Sequence, residues 1–210
     1  MQSSDDAPRG PVDLVDRSVQ LQGSAWARGV LRLLGWQLVF DGLPSRQGVL
    51  LVYPHTSNWD FPIGILAKWA IGIPVTFWGK ESLFSWPLFG RWLRWVGGVP
   101  VVRNAPQGAV SSMVECLRNA RLRDEFMWLA LAPEGTRRLR AAWRSGFYRV
   151  AVGAGVPLGL AVLDFGSRRV GLLHFIQPCG SPDDDMAGLA HRYLGVKGFR
   201  DECVTPVRLG

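Results

Sequence analysis

The stretch Val49–Asp60, VLLVYPHTSNWD, begins as an apolar run typical of a buried strand and ends in polar side chains that include His55 and Asp60. Two later apolar runs are followed by polar clusters in the same way, VTFW by GKESLF and FMWLALA by PEGTRR. Ligands of open parallel sheets bind at the carboxyl ends of the strands. If these three strands run parallel, the sequence places all three polar clusters in one crevice.

The rest of the chain alternates between short apolar runs and helix-like segments. Strands are predicted at 38–40, 49–53, 75–78, 99–102, 126–132, 158–163 and 170–175, and helices at 61–71, 86–96, 107–121, 143–154 and 183–194. This alternation predicts an α/β fold with a mostly parallel sheet flanked by helices. The chain's 210 residues suit one domain. We expect residues 23–210 to form it and residues 1–22 to be a flexible N-terminal tail.

Residues 25–40 begin with the pattern of an N-terminal amphipathic helix. Trp26, Val30, Leu33 and Leu34 share one side, and Arg28 and Arg32 lie on the other. This pattern allows two interpretations. The helix packs on the domain through its apolar side, or it rests in the lipid interface with its arginines near phosphates.

Composition narrows the classes of partner. The net charge of +7 and the ten tryptophans indicate an anionic partner, either nucleic acid or a membrane surface. The three widely spaced cysteines disfavour a disulfide framework or zinc site and fit a reducing cytoplasm. No apolar run reaches the roughly 20 residues needed to cross a bilayer. We also expect no signal peptide, because the N-terminus lacks a basic start followed by an apolar core.

The first polar cluster contains a candidate catalytic pair. His55 and Asp60 meet only if a turn intervenes, because on one continuous helix they would lie on different faces. With such a turn, Asp60 accepts a hydrogen bond from Nδ1 of the imidazole and leaves Nε2 free as a base. The alternative is structural: Ser57-x-x-Asp60 fits a capping box, and His55 is then an ordinary turn residue.

The other two clusters supply cations. Lys80 and Arg103 flank an aromatic helix, which either packs its tryptophans on the sheet or forms a wall for an acyl chain or membrane. Glu134-Gly135-Thr136 predicts a tight turn whose glycine lets a ligand approach the backbone. A run of arginines that starts at Arg137 follows it. This run is either a solvated basic segment or a site for phosphate.

Taken together, these segments resemble the glycerophospholipid acyltransferase superfamily, of the lysophosphatidate acyltransferase type. Its first motif, H-x4-D, is matched by His55 and Asp60, and its third, P-E-G-T-R, by Pro133–Arg137. Its fourth, V-P before an apolar strand, is matched by residues 156–158. The positions that match its second motif, K-x2-L-x3-P-x2-G-x6-G-x5-R, are Lys80, Leu83, Pro87, Gly90, Gly97 and Arg103. Pro54 and Gly159 depart from the family's usual Asn and second Pro.

The resemblance implies an activity. His55 would deprotonate the hydroxyl of a lysophospholipid, with Asp60 orienting the imidazole, and the acyl donor would be acyl-CoA or acyl carrier protein, with no acyl-enzyme. Lys80, Arg103 and Arg137 would hold the phosphate of the acceptor, and Glu134, Gly135 and Thr136 would shape its binding turn. The expected acceptor is 1-acylglycerol 3-phosphate, which gives phosphatidate. No metal or cofactor is expected.

The resemblance also implies a location and leaves alternatives open. We expect a peripheral protein on the cytoplasmic face of the cell membrane, bound to an anionic surface, with no nucleic-acid partner. Three alternatives remain: an acyltransferase for another lysolipid such as a lyso-aminolipid, a thioesterase that uses the same pair to activate water, and a non-catalytic basic module that binds lipid or nucleic acid. No RNP signature or zinc finger supports nucleic-acid binding.

Overall fold

A computed structural model of the protein describes residues 10–101 and 106–210. The strands are β1 Val12–Asp13, β2 Gln37–Val39, β3 Gln47–Tyr53, β4 Val75–Lys80, β5 Gly98–Val101, β6 Met127–Leu131, β7 Leu158–Asp164 and β8 Arg169–Gln177. The α-helices are α1 Ala25–Leu33, α2 Asp60–Ile71, α3 Glu81–Phe84, α4 Pro87–Trp95, α5 Pro106–Leu122, α6 Gly146–Ala154 and α7 Pro182–Arg192. A short 3₁₀ helix, Asp201–Cys203, follows α7.

The eight strands of the described residues join one sheet, in the order β1-β8-β7-β3-β6-β4-β5, with β2 also paired to β8. The five strands from β7 to β5 run parallel, whereas β8 runs antiparallel to β7 and β1 antiparallel to β8. The predicted mostly parallel sheet flanked by helices is therefore confirmed. The strands that precede the three polar clusters are β3, β6 and β4, which are adjacent and parallel, so the clusters leave the same edge of the sheet.

Strand β3 shows why the sheet is covered on both faces. Val49, Leu51 and Tyr53 pack in a cluster with apolar side chains of α5, α6 and α7. Leu50, on the opposite face, belongs to a cluster that includes Ile71 of α2 and Trp128 of β6. Alternate residues of one strand thus enter two separate cores, which is why the whole stretch is apolar.

The N-terminal part contains α1 and β2 and departs from expectation in one place. Helix α1 ends at Leu33, where Gly35 adopts φ +77 and the N–H of Trp36 donates to the carbonyl of Leu31. This geometry is typical of a glycine-terminated helix, and the chain then continues as β2. Among the described residues, pairing with the sheet begins at Val12, which lies inside the segment expected to be a flexible tail. Two residues of pairing give almost no periodic signal in the sequence.

Helices α1 and α4 turn large apolar side chains outward. Ala27 and Leu31 of α1 are buried, whereas Trp26 and Leu33 are exposed. We call the exposed apolar side chains on and beside these two helices the tryptophan face; they are Trp26, Leu33, Leu34, Trp86, Leu88, Phe89, Trp92 and Trp95. Trp26 of α1 and Trp95 of α4 line the same open surface pocket, so the two helices meet the surface side by side there. None of the described helices is both long and apolar enough to span a bilayer.

Candidate active site

His55 and Asp60 lie together in the turn between β3 and α2. Nδ1 of His55 is 3.1 Å from Oδ2 of Asp60, and the Asp60 carboxylate is almost fully buried. The N–H direction of the ring is not aligned with that oxygen, so the separation permits a hydrogen bond that the present ring orientation does not make. Catalytic hydrogen bonds are often poorly aligned before substrate binds. The turn that the sequence required between the two residues is present.

The same carboxylate oxygen also holds the turn. Oδ2 of Asp60 accepts hydrogen bonds from the backbone N–H groups of Thr56 and Ser57, both at 2.7 Å. Oγ of Ser57 in turn accepts from the N–H of Trp59 at 3.1 Å. This is half of a capping box, because the Ser57 hydroxyl bonds the N–H of Trp59 and not that of Asp60. The structural and catalytic interpretations of Asp60 are therefore compatible, because one oxygen serves both.

Glu134 joins the third polar cluster to the first. Its Oε2 accepts a hydrogen bond from the backbone N–H of His55 at 2.7 Å, and its Oε1 accepts from the N–H of Thr205 at 3.2 Å. Burial of the carboxylate raises the pKa of Glu134 to about 7. These contacts place Glu134 in a different role from the expected one. It positions the backbone of His55, and both of its oxygens already have backbone donors.

The rest of the PEGTR segment forms the predicted tight turn. Gly135 adopts φ +64, and its N–H donates to the carbonyl of Ala132 at 3.1 Å. A Cβ at Gly135 would lie 2.8 Å from the side chain of Arg144, so only glycine fits this turn without displacing that arginine. Oγ1 of Thr136 accepts a long hydrogen bond from the N–H of Arg138 at 3.4 Å. The space beside Gly135, where a ligand was expected to approach the backbone, is occupied by the side chain of Arg144.

The three cations expected at the site are Lys80, Arg103 and Arg137, and the two that the structure describes differ in burial. Nε of Arg137 is buried and has no hydrogen-bond partner among the described residues. Lys80 is exposed at the end of β4 and, from the strand register, is level with Tyr53 of β3. Two strand spacings separate them, which is about 10 Å. Arg103 lies outside the described residues.

The C-terminal segment contributes contacts that the sequence did not indicate. Nε and Nη2 of Arg200 donate to the carbonyl of Thr56 at 2.9 and 2.6 Å, and the N–H of Arg200 donates to Oγ1 of Thr56 at 3.2 Å. The hydroxyl of Tyr53 donates to the carbonyl of Thr205 at 3.0 Å. Arg200 and Glu134 therefore hold the histidine turn through different backbone groups. No local motif surrounds Arg200, so only the fold reveals this contact.

An apolar cavity of about 210 Å³ opens beside the pair. It lies between α2 and the sheet, and its walls include Leu50, Ala130 and Leu163 from three strands. His55 and Asp60 line it at the start of α2, and Lys68 and Ile71 line it near the end of that helix. Asp60 and Lys68 are thus about 12 Å apart along the helix axis. A polar pair at one end of a long apolar space suits a substrate with a reactive group on a hydrocarbon chain.

Comparison with known proteins agrees with this geometry. The acyltransferase family model matches residues 40–159, more than half of the chain. The chain belongs to the acyltransferase family. The family model and the relatives described below together support its placement in the glycerophospholipid acyltransferase superfamily. The matched residues include the histidine turn, Lys80, Arg103 and the whole PEGTR segment.

Two relatives illustrate the likeness. The chain is 32% identical over 106 residues to lysophosphatidylcholine acyltransferase 2 of Danio rerio, which covers 49% of this chain and 19% of that protein. This chain therefore spans about a fifth of that relative's length. The crystal structure of the 1-acyl-sn-glycerophosphate acyltransferase PlsC from Thermotoga maritima matches 80% of this chain and 73% of its own, with a TM-score of 0.52 and 21% identity. At that identity, the match supports the fold.

Proposed function

We propose that this acyltransferase moves a fatty acyl group from acyl-CoA or acyl carrier protein to the free hydroxyl of a lysophospholipid. The observation that carries the proposal is the His55–Asp60 pair at one end of an apolar cavity. An acyl thioester has the matching form, a carbonyl at the end of a hydrocarbon chain. The proposed acceptor is 1-acylglycerol 3-phosphate, and the product is phosphatidate.

The chemistry needs one base and no covalent intermediate. Nε2 of His55, which has no hydrogen bond to any described residue, takes the proton of the acceptor hydroxyl while that oxygen attacks the thioester carbonyl carbon. The carbonyl re-forms as the C–S bond breaks, and the imidazolium gives its proton to the departing thiolate. Asp60 stabilises the imidazolium, because its carboxylate lies 3.1 Å from Nδ1. The acyl group thus ends on the acceptor oxygen, and the proton of the hydroxyl ends on the released thiol.

The phosphate of the acceptor is assigned to the cations at the same edge of the sheet. Arg137 follows the PEGTR turn with its Nε unpartnered among the described residues, and Lys80 ends the neighbouring strand β4. Arginine binds phosphate through several donors at fixed angles, and lysine adds a mobile charge. Arg103 joins this set on its position in the second sequence motif.

Membrane attachment is proposed through the tryptophan face. Contiguous exposed apolar side chains are unusual on a freely dissolved protein and are typical of a surface that meets protein or lipid. Tryptophan favours the lipid interface, and each basic residue near an anionic leaflet adds about 1 kcal/mol of attraction. Phe61 packs against exposed Trp92 on one side and Phe77 of the cavity wall on the other. A lipid acceptor would therefore reach the site from this face, at the cytoplasmic surface of the cell membrane.

A matrix of donors and acceptors tests the proposed activity. Acyl-CoA and acyl carrier protein donors are each combined with 1-acylglycerol 3-phosphate, lysophosphatidylcholine, a lyso-aminolipid or no acceptor, and products are identified by mass spectrometry. Phosphatidate formed only when its lysolipid is present supports the proposal. A different diacyl lipid would correct the acceptor. Free fatty acid at the same rate without acceptor would identify a thioesterase and overturn the proposal.

A further inference from the structure

Lys68 is an unusual residue for the wall of an apolar cavity. It lies on α2, is half-buried, and has no carboxylate within ion-pairing distance among the described residues. Its Nζ donates a hydrogen bond to the carbonyl of Val96, at the C-terminal end of α4. A lysine at a helix C-terminus is favoured by the carbonyls that point outward there. This contact holds the side chain across the space between α2 and α4.

Two separate spaces meet at this side chain. One is the apolar cavity that contains His55 and Asp60, and the other is an open surface pocket of about 520 Å³ on the tryptophan face. Lys68 and Ile73 line both spaces. The surface pocket is otherwise largely aromatic, with Trp26, Trp69 and Trp95 around it. Lys68 and Ile73 therefore lie between the cavity and the surface pocket.

We propose that Lys68 closes the inner end of the acyl cavity and so sets the longest acyl chain that the enzyme accepts. This inference rests on the proposed function, since it assigns the cavity to the acyl chain. Asp60 and Lys68 are separated by about 12 Å along α2, which limits how far an extended chain runs before it meets the lysine stem and its ammonium.

Removing the Lys68 side chain should lengthen the usable cavity. In Lys68→Ala, the tail of a long chain would pass into the tryptophan-lined surface pocket, which is itself apolar enough to receive it. In Lys68→Met, a side chain of similar length remains, while the charge and the hydrogen bond to Val96 are lost. Comparing the two variants therefore distinguishes the effect of the side chain's volume from the effect of the hydrogen bond that links α2 to α4.

The test compares acyl donors from decanoyl to stearoyl with wild type and both variants, using the ratio of kcat/KM for stearoyl to that for dodecanoyl. We expect this ratio to rise roughly tenfold or more in Lys68→Ala, as for other changes in an apolar specificity pocket, and to stay near wild type in Lys68→Met. An unchanged ratio in Lys68→Ala would overturn the proposal. An equal rise in both variants would also overturn it, because Met still fills the space.

Two further measurements keep the outcome interpretable. Kd values for the corresponding free fatty acids report the length of the cavity even if no acyl transfer is found, so failure of the proposed function is distinguishable from failure of this inference. If Lys68→Ala does not fold, Ile73→Ala removes the other side chain between the two spaces without touching the bond to Val96. Preference for longer fatty acids in that variant supports the proposal, and wild-type preference contradicts it.

Discussion

The Asp60 carboxylate is both a structural and a proposed catalytic group. One of its oxygens accepts two backbone N–H groups of the turn and also lies beside the imidazole of His55. The sequence predicts that His55 and Asp60 meet across a turn. The sharing of a single oxygen was not, because it depends on the backbone path of the turn.

Replacing Asp60 by Asn separates the two roles. Its amide oxygen still accepts the backbone N–H groups, so we expect the free energy of unfolding to fall by only about 1 kcal/mol. The negative charge beside the imidazolium is lost, and the rate should fall by roughly 10²-fold. Asp60→Ala should lose both activity and stability. Initial rates and urea unfolding measure the two effects, and an Asn variant as fast as wild type would show that the charge is not needed.

Glu134 gives the protein a pH-dependent stability. Its pKa is raised by burial from 4.5 to about 7, so the folded state holds this proton more tightly than the unfolded chain. The contribution of Glu134 is most favourable at low pH. The free energy of unfolding therefore falls as the pH rises from about 4.5 to about 7, by up to about 3 kcal/mol in all.

Urea unfolding of wild type and Glu134→Gln at pH 5 and pH 8 tests this effect. Because glutamine does not titrate, the stability of wild type relative to the variant should be lower at pH 8 than at pH 5. The difference between two proteins removes the contributions of other titrating groups. The same relative stability at both pH values would contradict the assigned effect of burial.

The strands and helices follow the sequence closely where hydrophobic periodicity is strong. The predicted strand at 75–78 is β4, Val75–Lys80, and the predicted helix at 61–71 is α2, Asp60–Ile71. The short elements β1 and α3 gave no comparable signal, since a two-residue strand has no period to detect. The hydrogen bonds from Arg200 to Thr56 could not be predicted either, because they join residues far apart in the chain.

The outward-facing residues at the start of α4 give the membrane proposal a direct test. Trp86 and Leu88 are 68% and 84% exposed, so replacing both by Ser should leave the fold intact. We expect binding to phosphatidylglycerol vesicles to weaken by at least about tenfold, because tryptophan and leucine contribute apolar contact at the interface. Flotation at low and high salt measures this binding.

A matched control uses exposed leucines elsewhere. Leu122, at the end of α5, and Leu194, after α7, are 85% and 73% exposed and do not belong to the tryptophan face. Leu122→Ser with Leu194→Ser should leave vesicle binding near the wild-type level. Equal loss in both double variants would indicate that no particular face meets the membrane.

Viewed as a whole, the molecule brings three features to one region. The edge of the sheet supplies the histidine turn and the cations, the space under α2 supplies an apolar cavity, and α1 and α4 supply the tryptophan face. The net charge of +7 favours approach to anionic lipid. This arrangement suits the proposed transfer from a thioester to a membrane lipid. The sequence predicted that the polar clusters meet at one edge of the sheet. It did not predict the cavity or the position of Lys68 in its wall, because both depend on how α2 packs on the sheet.

The central claim is that His55 activates the acceptor hydroxyl at the mouth of the apolar cavity. Initial rates of diacyl product formation are measured by mass spectrometry for wild type, His55→Ala and His191→Ala, whose histidine is exposed in the last turn of α7. With circular dichroism unchanged, we predict a fall of roughly 10²–10⁴-fold for His55→Ala and a wild-type rate for His191→Ala. A folded His55→Ala protein that transfers acyl groups as fast as wild type would contradict the account.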